Sequence, residues 1–344
     1  MVNANLLRQF VPLASLTPGD RTELSKYSRL GNYLPGQVIF NRGEAARTVV
    51  YLLSGTVEMF DGRESKTVHG DSAEARHPLG QGAKRAATAT CLRPAQILFV
   101  DREHMDMVLT WSHTGTMEVT EVNQAVNDEE SEDWMTALLQ SHAFQRIPAG
   151  NIGQLFSAFR PVEYAASDVI IRQGDAGDCY YVVGQGQCEI LQHDDIGLNE
   201  REVARVGVGK GFGEEALVSG NPRNATVRAL TAVQLMRLTK SDFERLLKAP
   251  LLKEIGVDDI PADALLVDVR LPEEFAKGRL PGAINLPLPR IRELARGLDA
   301  QRTYIVYCDT GRRSASATYL LSERGYDARL LSGGVPAEEM PVRG

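Results

Sequence analysis

The stretch Val38–Glu44 (VIFNRGE) reappears later in the chain as Val169–Asp175 (VIIRQGD), at an offset of 131 residues. A second pair, Arg85–Thr88 (RAAT) and Arg223–Thr226 (RNAT), has an offset of 138 residues. Self-similarity at a nearly constant offset indicates that one domain occurs twice. The change in offset means that the first copy lacks seven residues in its middle.

Each copy contains many short apolar runs separated by Gly and Asp turns and followed by an amphipathic helix. In the second copy, Asp242–Leu247 has apolar residues at helical spacing and Pro250 is expected to break the helix. Leu251–Ile255 is expected to add another turn. This pattern predicts a β-roll or jelly-roll barrel with helical ends in each copy. The acidic stretch Asp128–Asp133 between the copies is interpreted as a solvated linker.

Composition limits the function classes. The chain has 344 residues, a formal net charge of −7, 43% hydrophobic and 24% charged residues, as in ordinary globular proteins of two or three domains. The absence of a basic block speaks against a nucleic-acid surface, and the absence of a long apolar run against a membrane span. The four cysteines have neither metal spacing nor disulfide density, which favours a cytoplasmic protein without a metal site.

The segment Cys308–Ser314 (CDTGRRS) follows the apolar strand pattern Tyr304–Tyr307 and precedes a helical pattern that Gly325 terminates. A cysteine at a strand-to-helix turn lies where backbone N–H groups converge, which favours a thiolate and a bound anion. No histidine occurs from Leu251 onward, so a Cys–His pair within this segment is excluded. The six-residue C-x4-R loop is shorter than the seven-residue loop of tyrosine phosphatases and suits one extra sulfur atom on the cysteine.

The last ~85 residues resemble the rhodanese family of sulfurtransferases, a small domain in size. The matching motifs are LLVDVR (Leu265–Arg270), PEEF (Pro272–Phe275), GRLPGAINLP (Gly278–Pro287), the cysteine loop, and LSGG (Leu331–Gly334). The resemblance implies an α/β domain with a mostly parallel sheet flanked by helices. Two departures are Arg279, where the family usually has histidine, and the short, proline-broken Val335–Pro341, where it usually has a helix.

The rhodanese resemblance also implies residue roles. Cys308 would be the nucleophile and would carry a persulfide that backbone N–H groups of the loop cradle. Arg312 and Arg313 would supply positive potential, Arg313 would also fix the loop, and Asp268 and Arg270 would support it. The candidate catalytic residues are Cys308, Asp309, Thr310, Gly311, Arg312, Arg313, Asp268 and Arg270.

In the second copy, GFGEEAL (Gly211–Leu217) and PRNATV (Pro222–Val227) resemble the phosphate cassette of cyclic nucleotide-binding domains. The backbone N–H groups at the helix start can receive an anionic oxygen, Arg223 can hold the cyclic phosphate, and Glu214 can accept a hydrogen bond from the ribose 2′-OH. Asn224 stands at a position that discriminates the base in the family, and it leaves cAMP or cGMP open, with cAMP favoured by prevalence. The candidate nucleotide-binding residues are Gly213, Glu214, Glu215, Ala216, Arg223 and Asn224.

The first copy resembles the same family but is degenerate at the cassette. Ala75–Gly82 has no glutamate at the ribose-binding position, and Pro78 disturbs the expected helix start. Arg85 can still bind an anion, but structural or inter-domain packing is its expected role, and whether the first copy binds any ligand stays open; His77 is expected to be an ordinary loop residue.

These observations divide the chain into four parts: 1–115 as a degenerate cyclic nucleotide-binding-like domain, 116–134 as an acidic linker, 135–252 as a cyclic nucleotide-binding domain, and 257–344 as a rhodanese-like domain. A transcription factor is excluded because Gly256–Ala264 leads directly into a strand and leaves no room for a helix-turn-helix.

The resulting hypothesis is a cyclic-nucleotide-responsive sulfurtransferase with a small-molecule sulfur donor, such as thiosulfate or a persulfide, and a thiol or cyanide as acceptor. The alternative is a cyclic nucleotide sensor whose rhodanese domain binds a partner or senses redox state with little turnover. A homodimer stays open in both cases, whereas nucleic acid and membrane are not expected partners.

Overall fold

A computed structural model of the chain describes residues 2–80, 82, 84–115, 134–141, 144, 147–193 and 200–334. The expected acidic linker at 128–133 and the departure at 335–341 lie outside the described residues. Within them, no helix combines the length and apolar character needed to cross a bilayer.

The first repeat forms a five-stranded antiparallel sheet that bends into a barrel. Its strands are β1 Ser28–Tyr33, β2 Val38–Phe40, β3 Thr48–Phe60, β4 Ser65–His69 and β5 Thr88–Asp101. Helix α1, Pro18–Lys26, precedes the sheet and helix α2, Arg102–Gly115, follows it. Strands β3 and β5 pair along most of their length, and three register shifts between Leu52 and Val57 let them curve around one core.

The second repeat folds the same pattern into two four-stranded sheets, ordered β10-β9-β12-β7 and β11-β8-β13-β6. The strands are β6 Arg160–Tyr164, β7 Val169–Ile171, β8 Cys179–Gln185, β9 Cys188–His193, β10 Glu200–Val206, β11 Gly211–Phe212, β12 Thr226–Ala229 and β13 Val233–Thr239. Helices α3 Trp134–Gln140 and α4 Ala149–Ala158 come first, and α5 Glu214–Ser219 interrupts the barrel between β11 and β12. Two barrels with helical ends are thus confirmed.

The closing helix of the second barrel differs from the expectation in its last turns. It consists of α6 Lys240–Phe243, a π-helical turn Glu244–Lys248 and α7 Ala249–Leu251. Pro250 does not end this helix, which continues to Leu251; it follows the π-helical turn, in which the Ala249 N–H donates to the carbonyl of Glu244. The extra turn expected for 251–255 was wrong, because Lys253–Ile255 forms strand β14 beside β18 instead.

The C-terminal domain has a five-stranded, entirely parallel sheet in the order β14-β18-β17-β15-β16. Its remaining elements are β15 Leu265–Asp268, α8 Pro272–Lys277, β16 Ile284–Asn285, α9 Ile291–Leu294, β17 Thr303–Tyr307, α10 Arg312–Glu323 and β18 Asp327–Leu331. The predicted order of strand, cysteine loop and helix is confirmed. The loop therefore lies at the carboxyl end of β17, where α/β proteins place their sites.

Helix α10 joins the C-terminal domain to both barrels. It packs on β17 and β18, on α5 of the second barrel and on α2 of the first. Tyr319 on α10 belongs to the apolar core of the second barrel, with its ring centroid 6.3 Å from that of Phe243. Because a core crosses the domain boundary here, we expect the two domains to unfold together.

We predict that Tyr319→Ala separates the unfolding of these two domains. Removing a buried aromatic side chain costs about 3–5 kcal/mol, and here the loss falls on the shared core. Scanning calorimetry should show one transition for both domains in the wild type and two in the variant.

The matched control is Tyr326→Ala, since the Tyr326 ring packs against Tyr304 within the C-terminal domain, at 6.1 Å between centroids. This variant should lower the transition temperature without dividing the transition. A single transition in Tyr319→Ala would show that the shared core does not couple the domains.

Candidate functional site

The cysteine loop holds the Cys308 sulfur with backbone N–H groups. The N–H of Gly311 donates to Cys308 Sγ at 3.2 Å and that of Ser314 at 3.4 Å, while the Ser314 hydroxyl lies 3.3 Å away. Gly311 has a φ of +96°, a backbone conformation that residues with a side chain rarely adopt. It immediately precedes α10, so the helix begins next to the Cys308 sulfur. The arrangement suits a thiolate or a sulfur-centred anion. Cys308 itself is fully buried.

Arg313 fixes the loop through a buried ion pair that the sequence did not indicate. Its guanidinium donates to both oxygens of Glu274, at 2.8 and 3.0 Å, and to Asp309 at 3.4 Å. Burial opposes ionisation of Glu274, but the Arg313 charge holds the pKa of this carboxyl below its usual value. Glu274 appeared in the sequence only as part of the PEEF motif. The expected role of Arg313 in fixing the loop agrees with this geometry.

Asp268 and Arg270 support the loop from the end of β15. Arg270 Nη2 donates to Asp268 at 2.6 Å, and Nη1 donates to Asp309 at 3.0 Å. Burial raises the pKa of Asp268, and the charge and hydrogen bonds of Arg270 oppose this rise. Asp309 thus receives hydrogen bonds from two buried arginines, which ties the cysteine loop to the rest of the domain.

Arg312 has partners in the two barrels. Nη1 donates to the carbonyl of Ser219 at 3.4 Å, and Nη2 donates to Glu103 Oε1 at 3.3 Å. Ser219 ends α5 and Glu103 lies in the first turn of α2. The sequence predicted that Arg312 acts on the thiol, but sequence alone does not show contacts between domains.

The cassette of the second barrel is built around Arg223. This buried arginine donates to the carbonyls of Gly213 and Cys179, at 2.7 and 2.6 Å, and to Asp178 Oδ1 at 3.0 Å. Gly213 has a φ of +90° and starts α5 with Glu214, as Gly311 starts α10. Asp178 is largely exposed. Arg223 is thus held in a fixed place beside the start of α5.

Glu214 faces the C-terminal domain. Its Oε2 is buried without a hydrogen-bond partner among the described residues. Burial, together with the nearby charges of Glu323 and Glu215, raises the pKa of Glu214 to about 8. Its charge also acts on Tyr180 and Tyr319. The carboxyl therefore lies in the contact between α5 and α10.

Glu215 links the nucleotide cassette to the C-terminal domain. Asn224 donates to Glu215 Oε2, and Arg292 of α9 donates to Glu215 Oε1 at 2.8 Å. Both members of the Arg292–Glu215 ion pair are mostly buried. The sequence reasoning missed Arg292, because an ordinary surface-type arginine gives no signal of a partner 77 positions away.

The corresponding arginine of the first barrel is enclosed by its own domain. Arg85 donates to the carbonyls of Leu79, Gly80 and Thr48 and stacks 4.3 Å from the centroid of the Phe40 ring. His77 lies near Lys277 of the C-terminal domain, and burial lowers its pKa to about 4. The geometry is that of a packing arginine, as the sequence predicted.

Models of two known domain families match three segments of the chain. The profile of the cyclic nucleotide-binding domain family matches residues 30–110 and 161–249, and that of the rhodanese-like domain family matches residues 249–337. The exact domain boundaries given in the sequence analysis stay predictions.

Two curated relatives are cAMP-dependent protein kinase regulatory subunits. That of Dictyostelium discoideum is 37% identical over 118 residues, which is 34% of this chain and 36% of the relative. That of Blastocladiella emersonii is 39% identical over 94 residues, 27% of this chain and 23% of the relative. The matches thus span about a third or less of these relatives.

Among solved structures, the regulatory domain of Toxoplasma gondii PKA with cAMP is similar at 20% identity and a TM-score of 0.32, with 72% of this chain and 91% of that chain covered. The catabolite activator protein of Thermus thermophilus is similar at 28% identity and a TM-score of 0.29, with 32% of this chain and 51% of that chain covered.

The family matches follow the order of the three folded units described above. The chain therefore contains two cyclic nucleotide-binding domains, matched at residues 30–110 and 161–249, followed by one rhodanese-like domain, matched at residues 249–337.

Proposed function

We propose that the protein is a sulfurtransferase whose Cys308 site responds to a cyclic nucleotide bound by the second barrel. The observation that carries the catalytic part is the pair of backbone N–H groups aimed at Cys308 Sγ. Such donors stabilise an anionic sulfur in both the thiolate and the persulfide.

In the proposed reaction, the Cys308 thiolate attacks the outer sulfur of thiosulfate or of a small persulfide. The S–S bond of the donor breaks, and sulfite or a thiolate leaves with the bonding electron pair. The new Cys308 persulfide keeps its negative charge on the outer sulfur, within reach of the loop. Cyanide or an acceptor thiolate then attacks that sulfur, and the Cys308 thiolate leaves. Arg313, held by Glu274, fixes the loop during both transfers.

The ligand of the second barrel is proposed to be cAMP or cGMP. Arg223 lies beside the start of α5, where it would pair with the cyclic phosphate in exchange for the exposed Asp178. Asn224 would lie near the base, and its bond to Glu215 leaves the choice of base open. That the curated relatives are named cAMP-dependent regulatory subunits supports cAMP.

The nucleotide would act on the C-terminal domain through α5. Glu214 lies within electrostatic range of Tyr319 and Glu323 of α10, and its buried Oε2 has no hydrogen-bond partner there that a ribose hydroxyl would have to displace. Ligand binding would therefore draw Glu214 from the contact between α5 and α10. The cassette helix itself touches the C-terminal domain, so this route does not require the closing helix of the second barrel to move.

A second candidate is a cyclic nucleotide sensor in which the rhodanese domain has little turnover. The observation in its favour is the complete burial of Cys308, which leaves the thiol without solvent contact in this arrangement. The two candidates differ in whether Cys308 accepts sulfur from a donor.

We predict that Cys308→Ser abolishes sulfur transfer and leaves the fold intact, because serine is close in size and only the nucleophile is lost. After treatment with thiosulfate and nucleotide, intact-mass spectrometry should show a one-sulfur adduct on the wild type but not on the variant. Thiocyanate formation from cyanide should fail in parallel.

Cys91→Ser is the control, since Cys91 is a buried cysteine of the first barrel whose Sγ lies 2.8 Å from the carbonyl of Arg93. It should take up sulfur as the wild type does. A wild type that never gains sulfur, or equal adducts on Cys308→Ser, would favour the sensor.

We predict one nucleotide per chain, bound by the second barrel. Arg223→Ala removes a charge-assisted contact worth ~1.5–3 kcal/mol, which should weaken binding roughly 10- to 150-fold. Arg85→Ala, the equivalent change in the first barrel, should leave affinity nearly unchanged because Arg85 is bonded within its own domain. Titration calorimetry with cAMP and with cGMP gives both stoichiometry and affinity. Two equal sites, or a loss confined to Arg85→Ala, would reverse the assignment.

A further inference from the structure

Helix α2 of the first barrel lies beside the cysteine loop and contacts it through the bond between Arg312 and Glu103. This helix packs against α10 and against the turn Leu288–Arg290 of the C-terminal domain. Cys308 lies at the loop in front of α10 and has no exposed surface. A thiol that reacts with a donor in solution needs a path to it. We therefore expect the contact with α2 to affect the access of a donor to the thiol.

Asp106 brings a carboxyl group from α2 to the cysteine loop. It is buried, and the burial raises its pKa, while the charge of Arg313 and the hydroxyl of Thr310 act in the opposite direction. The nearby Asp309 repels it. A buried carboxyl of the first barrel thus lies within electrostatic range of the loop that would receive the sulfur donor.

The arginines around the thiol are each paired with carboxylates. Arg313 contacts Glu274 and Asp309, and Arg270 contacts Asp268 and Asp309, so their charges are balanced within the domain. Arg312 is paired instead with Glu103 of the first barrel. An anionic donor gains little from an arginine whose charge a fixed carboxylate already offsets.

The Arg312 guanidinium connects the C-terminal domain to both barrels. It belongs to the cysteine loop and α10, its Nη2 bonds to Glu103 of α2, and its Nη1 bonds to the Ser219 carbonyl at the end of α5. The Glu103 side chain is 78% exposed and that of Arg312 is 31% exposed. A bond with this exposure is weak, and small movements of α5 or α2 are sufficient to break it.

We propose that the first barrel is an inhibitory cap over the Cys308 site, that Arg312 is its latch, and that nucleotide binding to the second barrel releases it. The proposal rests on the proposed function and gives the degenerate first barrel a role. Its direction comes from Glu214, whose Oε2 is buried without a hydrogen-bond partner among the described residues and would gain one from a ribose hydroxyl. Release exposes the thiol and separates Arg312 from Glu103, so that the positive charge of Arg312 acts on the cysteine loop.

The test measures the rate at which iodoacetamide alkylates Cys308 in the full chain, followed by peptide mass spectrometry. In the wild type the rate should be low without nucleotide and should rise with saturating cAMP or cGMP. Glu103→Arg places a positive charge against Arg312 and should raise the rate without nucleotide by roughly five-fold or more, the size expected for loss of an exposed ion pair together with new repulsion. Nucleotide should then add little.

Glu103→Gln removes the ion pair without adding repulsion and should raise the rate about two-fold, so that the test does not depend on one variant. Glu23→Arg is the matched control, since Glu23 is exposed on α1 and pairs with Lys26 of its own helix. It should alkylate at the wild-type rate.

Fast alkylation of the wild type without nucleotide, or unchanged rates in both Glu103 variants, would overturn the cap. A nucleotide that slows the wild type would overturn its direction. Alkylation requires only an accessible thiol, so a chain that fails to transfer sulfur still reports on the cap. Failure of the sulfur adduct and failure of the cap are therefore separate results.

Discussion

Helix α10 is the element on which the arrangement of this protein depends. It starts at the cysteine loop, and most of its residues from Arg313 to Ser322 are buried. One side packs on the parallel sheet of its own domain, and other parts contact α5 and α2. A helix that three domains share cannot shift relative to one of them without changing its contacts with the others, because protein interiors are close-packed. The cysteine loop and the nucleotide cassette are thus joined by one rigid element.

The two ion pairs near the start of α10 differ in burial and in strength. The Arg313–Glu274 pair is fully buried and bidentate, so losing one partner would leave an uncompensated charge, which typically costs about 3–5 kcal/mol. Its geometry holds the cysteine loop in place. The pair of Arg312 with Glu103 is partly exposed, and its free energy is on the order of 1 kcal/mol or less. The first pair suits a permanent structure, whereas the second suits a contact that opens and closes.

The sequence predicted each domain better than the contacts between them. The repeat at Val38–Glu44 and Val169–Asp175 identified two barrels, and the CDTGRRS run identified the thiol loop, because these patterns depend on local spacing. The strand β14 was missed since three residues at a sheet edge have no pattern that distinguishes them from a helical turn.

The contacts of Glu215 with Arg292 and of Arg312 with Glu103 could not be predicted for a different reason. Each joins two domains, and a single sequence contains no signal for the packing of surfaces far apart along the chain. The cassette motif indicated a ribose contact for Glu214, whereas in the structure its carboxyl lies within electrostatic range of Glu323 of α10. The difference between these two positions is what connects the nucleotide to the thiol in our account.

The central claim is that nucleotide binding and exposure of Cys308 are one equilibrium, and linkage makes it directly measurable. If a nucleotide favours the open arrangement by some factor, a group that holds the thiol open must raise nucleotide affinity by the same factor. The measurement is calorimetric titration of nucleotide into protein carboxamidomethylated at Cys308 and into unmodified protein, with reagent-treated Cys308→Ser as the reference. The account predicts tighter binding to the modified protein, by the factor that nucleotide adds to the alkylation rate. Equal or weaker binding would contradict it.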